Sequence, residues 1–162
     1  MIRAVQEQDA KAISDIYNYY IANTVITFEE DILTAAEMQR RITSVLAADL
    51  PWLVVEDELG EILGYAYASK WRERFSYRFS VEVTVYLSPE QSGKGLGTQL
   101  YQALFTELKN RNIHSVIGGI TLPNAASVAV HEKFSLAKVA HFKEVGFKFN
   151  QWLDVGYWQG TL

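Results

Sequence analysis

Three glycines at alternate positions, Gly93, Gly95 and Gly97, stand between an apolar run and a run of helix-forming residues. Glycines at such a junction let backbone N–H groups point at an anion, and the dipole of the following helix adds partial positive charge. Lys94, between two of the glycines, supplies a full positive charge. The loop therefore predicts a phosphate-binding site. The alternative is a tight turn without a ligand.

Two residues could transfer protons, one on a predicted strand and one on a predicted helix. Glu82 lies between Val81 and Val83 in the run SVEVTV, and partial burial of a carboxylate raises its pKa and makes it a better base near neutral pH. His131 is the second candidate, because histidine exchanges protons near pH 7. The alternatives are a carboxylate on a solvated strand face and a histidine that only caps or packs on its helix.

Arginines alternate with aromatic residues in the segment KWRERFSYRFS, residues 70–80. The planar fork of a guanidinium suits carboxylate or phosphinate oxygens, so Arg72, Arg74 and Arg78 make this segment a candidate for recognising an anionic substrate. The alternative is a solvated hairpin with ordinary surface charges. No cluster of His, Asp and Glu has the spacing of metal ligands, and we expect no metal.

The elements that must position these residues alternate between strands and helices. Strands are predicted at 2–5, 52–56, 62–68, 80–87, 115–120, 139–147 and 152–159. Helices are predicted after a cap at Asp9, from the capping box of Thr34 and Glu37 to about 47, over about 97–110, and from the segment LPNAAS, residues 122–127, to about 134. This order predicts an α/β fold of the mixed α+β kind, with helices covering both faces of a mixed sheet.

Composition narrows the class of protein. The chain has 162 residues, of which 49% are hydrophobic and 21% charged, as in an ordinary soluble protein with one domain over 1–162. The net charge of -4 argues against a nucleic-acid surface, and no apolar run is long enough to cross a membrane. The start of the chain lacks the pattern of a signal peptide. The absence of cysteine excludes thiolate nucleophiles and disulfides and fits a cytoplasmic location.

Two common phosphate-binding motifs do not fit the glycine loop. A nucleoside triphosphatase loop has lysine followed by serine or threonine, whereas Gly95 follows Lys94. A dinucleotide-binding fold places its glycines after the first strand, with an acidic residue about 20 positions later. Here the loop follows the fourth predicted strand.

The run SVEVTVYLSPEQSGKGLGTQLY, followed by LPNAASVAVHEK, resembles the GNAT superfamily of N-acetyltransferases. Within it the chain is similar to the phosphinothricin and methionine sulfoximine acetyltransferase group, from IRAV at the start through PWLVVE and GYAYASKW to WLDVGYWQ near the end. The resemblance implies a GNAT-type fold with a central, mostly antiparallel seven-stranded sheet. It also implies acetyl-CoA as cosubstrate, a small-molecule amine as substrate, and a homodimer.

The resemblance implies cofactor contacts along the chain. The pyrophosphate would lie on the loop after the fourth strand, and the backbone of Val85 and Leu87 would pair with the pantetheine arm. The implied cofactor residues are Val85, Tyr86, Leu87, Ser92, Gly93, Lys94, Gly95, Leu96, Gly97, Thr98 and Asn124. The chain departs from the family pattern at Ser92, where Gln or Arg is usual, and at Ser135, where a glycine usually ends the helix.

The resemblance also implies roles in the reaction. Glu82 would be the general base, directly or through water, and His131 would protonate the leaving thiolate or relay a proton from the amine. Arg72, Arg74 and Tyr77 would hold an amino-acid-like substrate. The implied activity is acetylation of the α-amino group of an analogue such as L-methionine sulfoximine, methionine sulfone or phosphinothricin. Alternatives are another amine (a polyamine, peptide N-terminus or aminoglycoside) and a non-catalytic acyl-CoA-binding module.

Overall fold

The computed structural model describes residues 1–162, and its seven strands and four helices follow in the predicted order. The strands are β1 Ile2–Ala4, β2 Trp52–Glu56, β3 Ile62–Lys70, β4 Ser80–Leu87, β5 Ser115–Leu122, β6 Ala137–Lys148 and β7 Gln151–Thr161. The helices are α1 Ala10–Asn23, α2 Ala35–Ala47, α3 Leu96–Asn110 and α4 Ala125–Lys133. None of these helices is both long enough and apolar enough to cross a membrane.

The strands form one sheet in the order β1-β2-β3-β4-β5-β7-β6. β4 and β5 run parallel, whereas β1–β2, β2–β3, β5–β7 and β6–β7 pair antiparallel. The predicted mixed α/β fold with a mostly antiparallel, seven-stranded sheet is confirmed. The predicted bounds of β2 and β4 agree with the structure, and β6 and β7 are longer than predicted.

Contacts divide the chain into two compact units, and β4 contributes to both. The first unit comprises Met1–Asn18, Leu33–Ser69 and Val83–Asn112, and the second comprises Tyr19–Ile32, Lys70–Glu82 and Ile113–Leu162. The expectation of one domain over 1–162 stays a prediction.

In the first unit, α2 and α3 both pack on β2. The helical spacing of Leu100, Leu104 and Leu108 puts all three in the core, where each is fully buried. Thr34 caps α2 as predicted, since its hydroxyl accepts a hydrogen bond from the Glu37 N–H at 3.1 Å.

Asp9 does not act as the predicted cap of α1. It ends a 3-10 turn, Glu7–Asp9, and its carboxylate accepts the Gln6 N–H at 2.7 Å and pairs with Arg3 at 2.7 Å. The Asp9 carboxylate therefore pairs with Arg3 of β1 and, contrary to the prediction from the sequence pattern, does not cap α1. Helical periodicity still predicted the helix itself.

In the second unit, β5 is the strand on which the site is built. Ser80–Glu82 of β4 pair in parallel with Ser115–Ile117, and the whole of β5 pairs with β7. Successive residues of a strand point to opposite faces, whereas directly paired residues share a face. Glu82, Ile117 and Gly119 therefore lie on one face of the sheet and Gly118 on the other.

Candidate active site

The glycine loop joins β4 to α3 in the first unit. Gly93 and Gly95 have φ of 78° and 80°, in the left-handed region that favours glycine, and an added Cβ at either would meet nothing within 4 Å. Gly95 is the N-cap of the 15-residue α3, so this helix begins without a side-chain cap. This open backbone at a helix N-terminus is suited to an anion.

The other residues of the loop contribute charge and packing. Ser92 and Lys94 are exposed, and the Lys94 ammonium donates to the side-chain oxygen of Gln91 at 3.0 Å. Gly97 differs from the other two glycines because it is buried, with side-chain atoms of Leu87 and Val85 3.9 and 4.0 Å from an added Cβ. A Cβ there would make only ordinary van der Waals contact with β4, so Gly97 is not required by a close approach. The space expected for a ligand beside all three glycines is open only at Gly93 and Gly95.

Asn124 lies at the start of α4 in the second unit. Its side-chain oxygen accepts the Ser127 N–H at 3.1 Å and so caps the helix. The oxygen is therefore engaged, and the side-chain N–H₂ is the group that can donate to a cofactor oxygen. Capping and cofactor binding are compatible at this position.

The Glu82 carboxylate lies over the backbone of Gly119. An added Cβ at Gly119 would be 3.2 Å from Glu82 Oε1 and 3.1 Å from Cε1 of the Tyr157 ring. Burial raises the pKa of Glu82, and the positive charge of Arg72 partly opposes that shift. Glu82 is thus a carboxylate with raised proton affinity, as a general base near neutral pH requires.

A cavity of about 410 Å³ lies in the same unit. It is lined by Trp71, Arg72, Tyr77, Ser80, Ser115, Ile117, Val139, Ala140, Phe142, Tyr157 and Gln159. The lining combines aromatic walls with a few polar groups, as is usual for small-molecule sites. Of the three substrate residues expected from sequence, Arg72 and Tyr77 line this cavity and Arg74 does not.

Arg72 is held flat against its neighbour. Its guanidinium lies 4.3 Å from the centroid of the Trp71 ring and donates to the Trp71 carbonyl at 3.0 Å. Arg78 instead stacks on Phe75 and Phe79, at 4.0 and 4.4 Å. Arg72 therefore differs from Arg74 and Arg78 in three respects. Its guanidinium is held by Trp71, it lines the cavity, and its charge lowers the pKa of Glu82.

His131 is buried on α4, with 3% of its surface exposed. Its Nδ1 lies 2.7 Å from the Ser127 carbonyl oxygen, which can only accept, so Nδ1 carries the hydrogen. Burial lowers the pKa of His131, and the Ser127 carbonyl partly opposes this. Near pH 7 the imidazole is therefore neutral, with its lone pair on Nε2.

Glu82 and His131 are on opposite faces of β5. The His131 ring lies against Gly118, where an added Cβ would come within 3.0 Å of Cδ2 and Nε2, and Glu82 lies against Gly119. The sheet backbone thus separates the two groups. Neither can therefore pass a proton directly to the other.

Sequence reasoning missed three residues of this site: Gly118, Gly119 and Tyr157. The signal was present, because two adjacent glycines inside a predicted strand indicate a close approach on each face. Tyr157 carries no such local signal, since it reaches Glu82 only through the pairing of β7 with β5. The other two histidines, His114 and His141, are exposed. No group of His, Asp or Glu is arranged to hold a metal ion.

A family model described as an acetyltransferase (GNAT) domain matches residues 2–156. The chain belongs to the GNAT acetyltransferase family. A phosphinothricin N-acetyltransferase of Streptomyces coelicolor is 37% identical over 99% of this chain and 95% of its own length. An L-methionine sulfoximine/L-methionine sulfone acetyltransferase of Pseudomonas aeruginosa is 35% identical over 99% of this chain and 94% of its own length. The resemblance noted in the sequence is confirmed.

Solved GNAT structures have the same fold. A phosphinothricin acetyltransferase of Sinorhizobium meliloti, in complex with acetyl-CoA, has a TM-score of 0.97 and 35% identity, covering all of this chain and 88% of that one. Within the GNAT family this chain departs at Ser135, whose φ of 64° is the left-handed conformation that favours glycine. Leu136, directly after this turn, is buried.

Proposed function

We propose that this GNAT enzyme transfers the acetyl group of acetyl-CoA to the α-amino group of a small amino acid analogue, such as L-methionine sulfoximine, L-methionine sulfone or phosphinothricin. The observation that carries the proposal is the Glu82 carboxylate, which has a raised pKa and shares its unit with a cavity walled by Arg72. The relatives named for these three substrates cover nearly the whole chain.

The residues present fit acetyl-CoA. The open, positively charged loop at Gly93–Gly95 suits a pyrophosphate, and a short side chain at Ser92 leaves Lys94 as its cation. The residues that would hold the cosubstrate are Val85, Tyr86, Leu87, Ser92, Gly93, Lys94, Gly95, Leu96, Gly97, Thr98 and Asn124. Bound acetyl-CoA supplies the acetyl group as a reactive thioester.

Glu82 takes the proton that the substrate ammonium must lose before its nitrogen can attack. Its burial favours the protonated carboxyl and so strengthens the carboxylate as a base, while the charge of Arg72 opposes the rise in pKa. The proton passes to Glu82 directly or through one water. The substrate amine then attacks the thioester directly, and the chain has no cysteine that could carry the acetyl group in between.

We assign a second proton transfer to His131, which lies on the face of β5 opposite Glu82. In its neutral form Nε2 carries no proton, so it must gain one before it can protonate the leaving sulfur. The attacking nitrogen gives one proton to Glu82 and releases its second as the amide forms and the C–S bond breaks; this second proton reaches Nε2 through water and passes to the sulfur. His131 lies on the opposite face of β5 from Glu82, so the two residues cannot exchange a proton directly. We therefore assign deprotonation of the amine to Glu82 and protonation of the leaving sulfur to His131.

Arg72 binds the carboxylate of the amino acid analogue, and Tyr77 contributes to the same cavity. Arg74 is exposed at the start of the turn Phe75–Tyr77, and its role in substrate binding stays a prediction. A wall with arginine favours anionic substrates and disfavours cationic ones such as polyamines.

We also propose that the enzyme is a homodimer. Six large hydrophobic side chains of the β6–β7 hairpin, the hairpin patch, are each more than half exposed: Val139, Phe142, Val145, Phe147, Phe149 and Trp152. Monomers rarely leave such residues clustered at the surface. A second copy is the simplest cover for them, and sedimentation velocity at increasing protein concentration would show a dimer or a monomer. The cytoplasmic location stays a prediction.

A panel of amines with acetyl-CoA tests the substrate class, with release of free thiol as readout. L-methionine sulfoximine, L-methionine sulfone and phosphinothricin should be turned over faster than spermidine, kanamycin or a peptide at equal concentration. Faster turnover of a polyamine or peptide would be consistent with an acetyltransferase but would overturn the proposed substrate class. No thiol release with any amine, despite binding of acetyl-CoA, would favour the non-catalytic binding module.

A further inference from the structure

The Tyr157 ring and the Glu82 carboxylate share the space above Gly119. A Cβ placed there would be 3.1 Å from Cε1 of the ring and 3.2 Å from Oε1 of the carboxylate, so both groups occupy the volume that any other residue would fill. Gly119 pairs directly with Tyr157, and Glu82 pairs with Ile117, two residues before Gly119 on the same face. The register of three strands therefore brings ring and carboxylate together.

Two aromatic side chains hold the Tyr157 ring in place. Trp71 meets it edge to face, with centroids 5.8 Å apart, and Phe142 does so at 5.9 Å. Such pairs are favourable beyond the area they bury, and they leave the ring few alternative orientations. Tyr157 also lines the 410 Å³ cavity, so the ring lies both in the cavity wall and beside the carboxylate.

We propose that Tyr157 is the positioning residue for Glu82: its ring covers one side of the carboxylate over Gly119, excludes water there and fixes the direction from which the carboxylate meets the substrate amine. This inference rests on the proposed function, in which Glu82 is the base. The ring performs the role, since a ring carbon is the atom closest to the position above Gly119.

The charges around Glu82 in this unit come from two directions. Arg72, between β3 and β4, lowers the pKa of Glu82, whereas burial raises it. Tyr157, on β7, has its own pKa raised by burial first and by the charge of Glu82 second. The facing residues of β5, Ser115, Ile117 and Gly119, carry no charge. Loss of the ring would therefore reduce the burial that raises the pKa of Glu82, while the opposing charge of Arg72 would remain.

The test is the pH dependence of kcat/KM in Tyr157→Val, with Tyr157→Phe as matched control. Glu82 must be ionised to act, so activity rises with pH through its pKa. Without the ring this rise should move to lower pH, and kcat near pH 7 should fall roughly tenfold to a hundredfold through misplacement of the base. The phenylalanine variant should keep the parent profile. Tyr19→Leu, an aromatic change on α1, controls for general destabilisation.

A fall in activity with an unmoved pH profile in Tyr157→Val would overturn the proposal, because a merely structural ring gives that result. An equal shift in Tyr157→Phe would also overturn it, since the hydroxyl would then be responsible. Tyr157→Leu, which keeps more apolar volume, should shift the profile the same way but less, and it replaces the valine variant if that fails to fold. Glu82→Gln separates the two proposals: retained activity there overturns the base itself.

Discussion

The substitution Gly118→Ala tests how closely the His131 ring packs against β5. Its Cβ would come within 3.0 Å of ring atoms Cδ2 and Nε2, closer than real side chains allow, so the ring must move. The ring is buried and bonded through Nδ1 to the Ser127 carbonyl, so it cannot swing aside without losing that bond.

The cost follows from these contacts. Overpacking a buried site costs about 1–3 kcal/mol, and a lost hydrogen bond about 0.5–1.5 kcal/mol. We expect Gly118→Ala to lower the free energy of unfolding by about 2–4 kcal/mol, which for a chain of this size lowers Tm by roughly 4–16 °C. Activity should fall as well, because Nε2 leaves its position.

Urea unfolding and thermal melts of four proteins measure this coupling: the parent, Gly118→Ala, His131→Ala and the double variant. Gly118→Ala should be costly in the parent and nearly neutral once the ring is gone. Gly119→Ala, on the opposite face, is the matched control and should show no such dependence on His131. Equal costs in both backgrounds, or no cost in the parent, would refute the placement of His131 against Gly118.

Two further predictions concern the cosubstrate loop and the charge beside the base. Gly95→Val strains a backbone at φ 80° and fills open space, so acetyl-CoA affinity by calorimetry should fall more than about tenfold; Gly60→Val, at φ 83° in another turn, should leave it unchanged. Unchanged affinity in folded Gly95→Val would remove the loop from the site. Arg72→Gln removes the charge that lowers the pKa of Glu82, so the rise of kcat/KM should move to higher pH, and KM for the amino acid analogue should increase. Arg74→Gln should not move the profile, and a shift there but not in Arg72→Gln would reverse the two assignments.

Local patterns in the sequence predict most of the fold. The runs WLVVE and SVEVTVYL are rich in β-branched residues, which favour strands, and they correctly predict where β2 and β4 begin and end. Thr34 and Glu37 marked the start of α2 through a bond that forms within one turn. Asp9 was misassigned because Arg3, six residues away on a strand, competes for the same carboxylate.

The sequence predicts those parts of the site that depend on interactions between residues close together in the chain. The glycines and lysine of the loop act over a few residues, and the β-branched run around Glu82 indicated the strand that carries it. The opposite placement of Glu82 and His131, and the contact of Tyr157 with Glu82, depend on the register of β5 with β4 and β7, which pairs residues far apart in the chain. No periodicity within one segment encodes that register.

The central claim is that Glu82 is the base in acetylation of an amino acid analogue. The most direct measurement is kcat with L-methionine sulfoximine and acetyl-CoA for the parent and Glu82→Gln, which keeps the shape of the side chain and removes its ability to accept a proton. We predict a fall in kcat of roughly 10²- to 10⁴-fold with little change in acetyl-CoA affinity. Turnover within about threefold of the parent near pH 7 would contradict the account and leave Glu82 a structural residue.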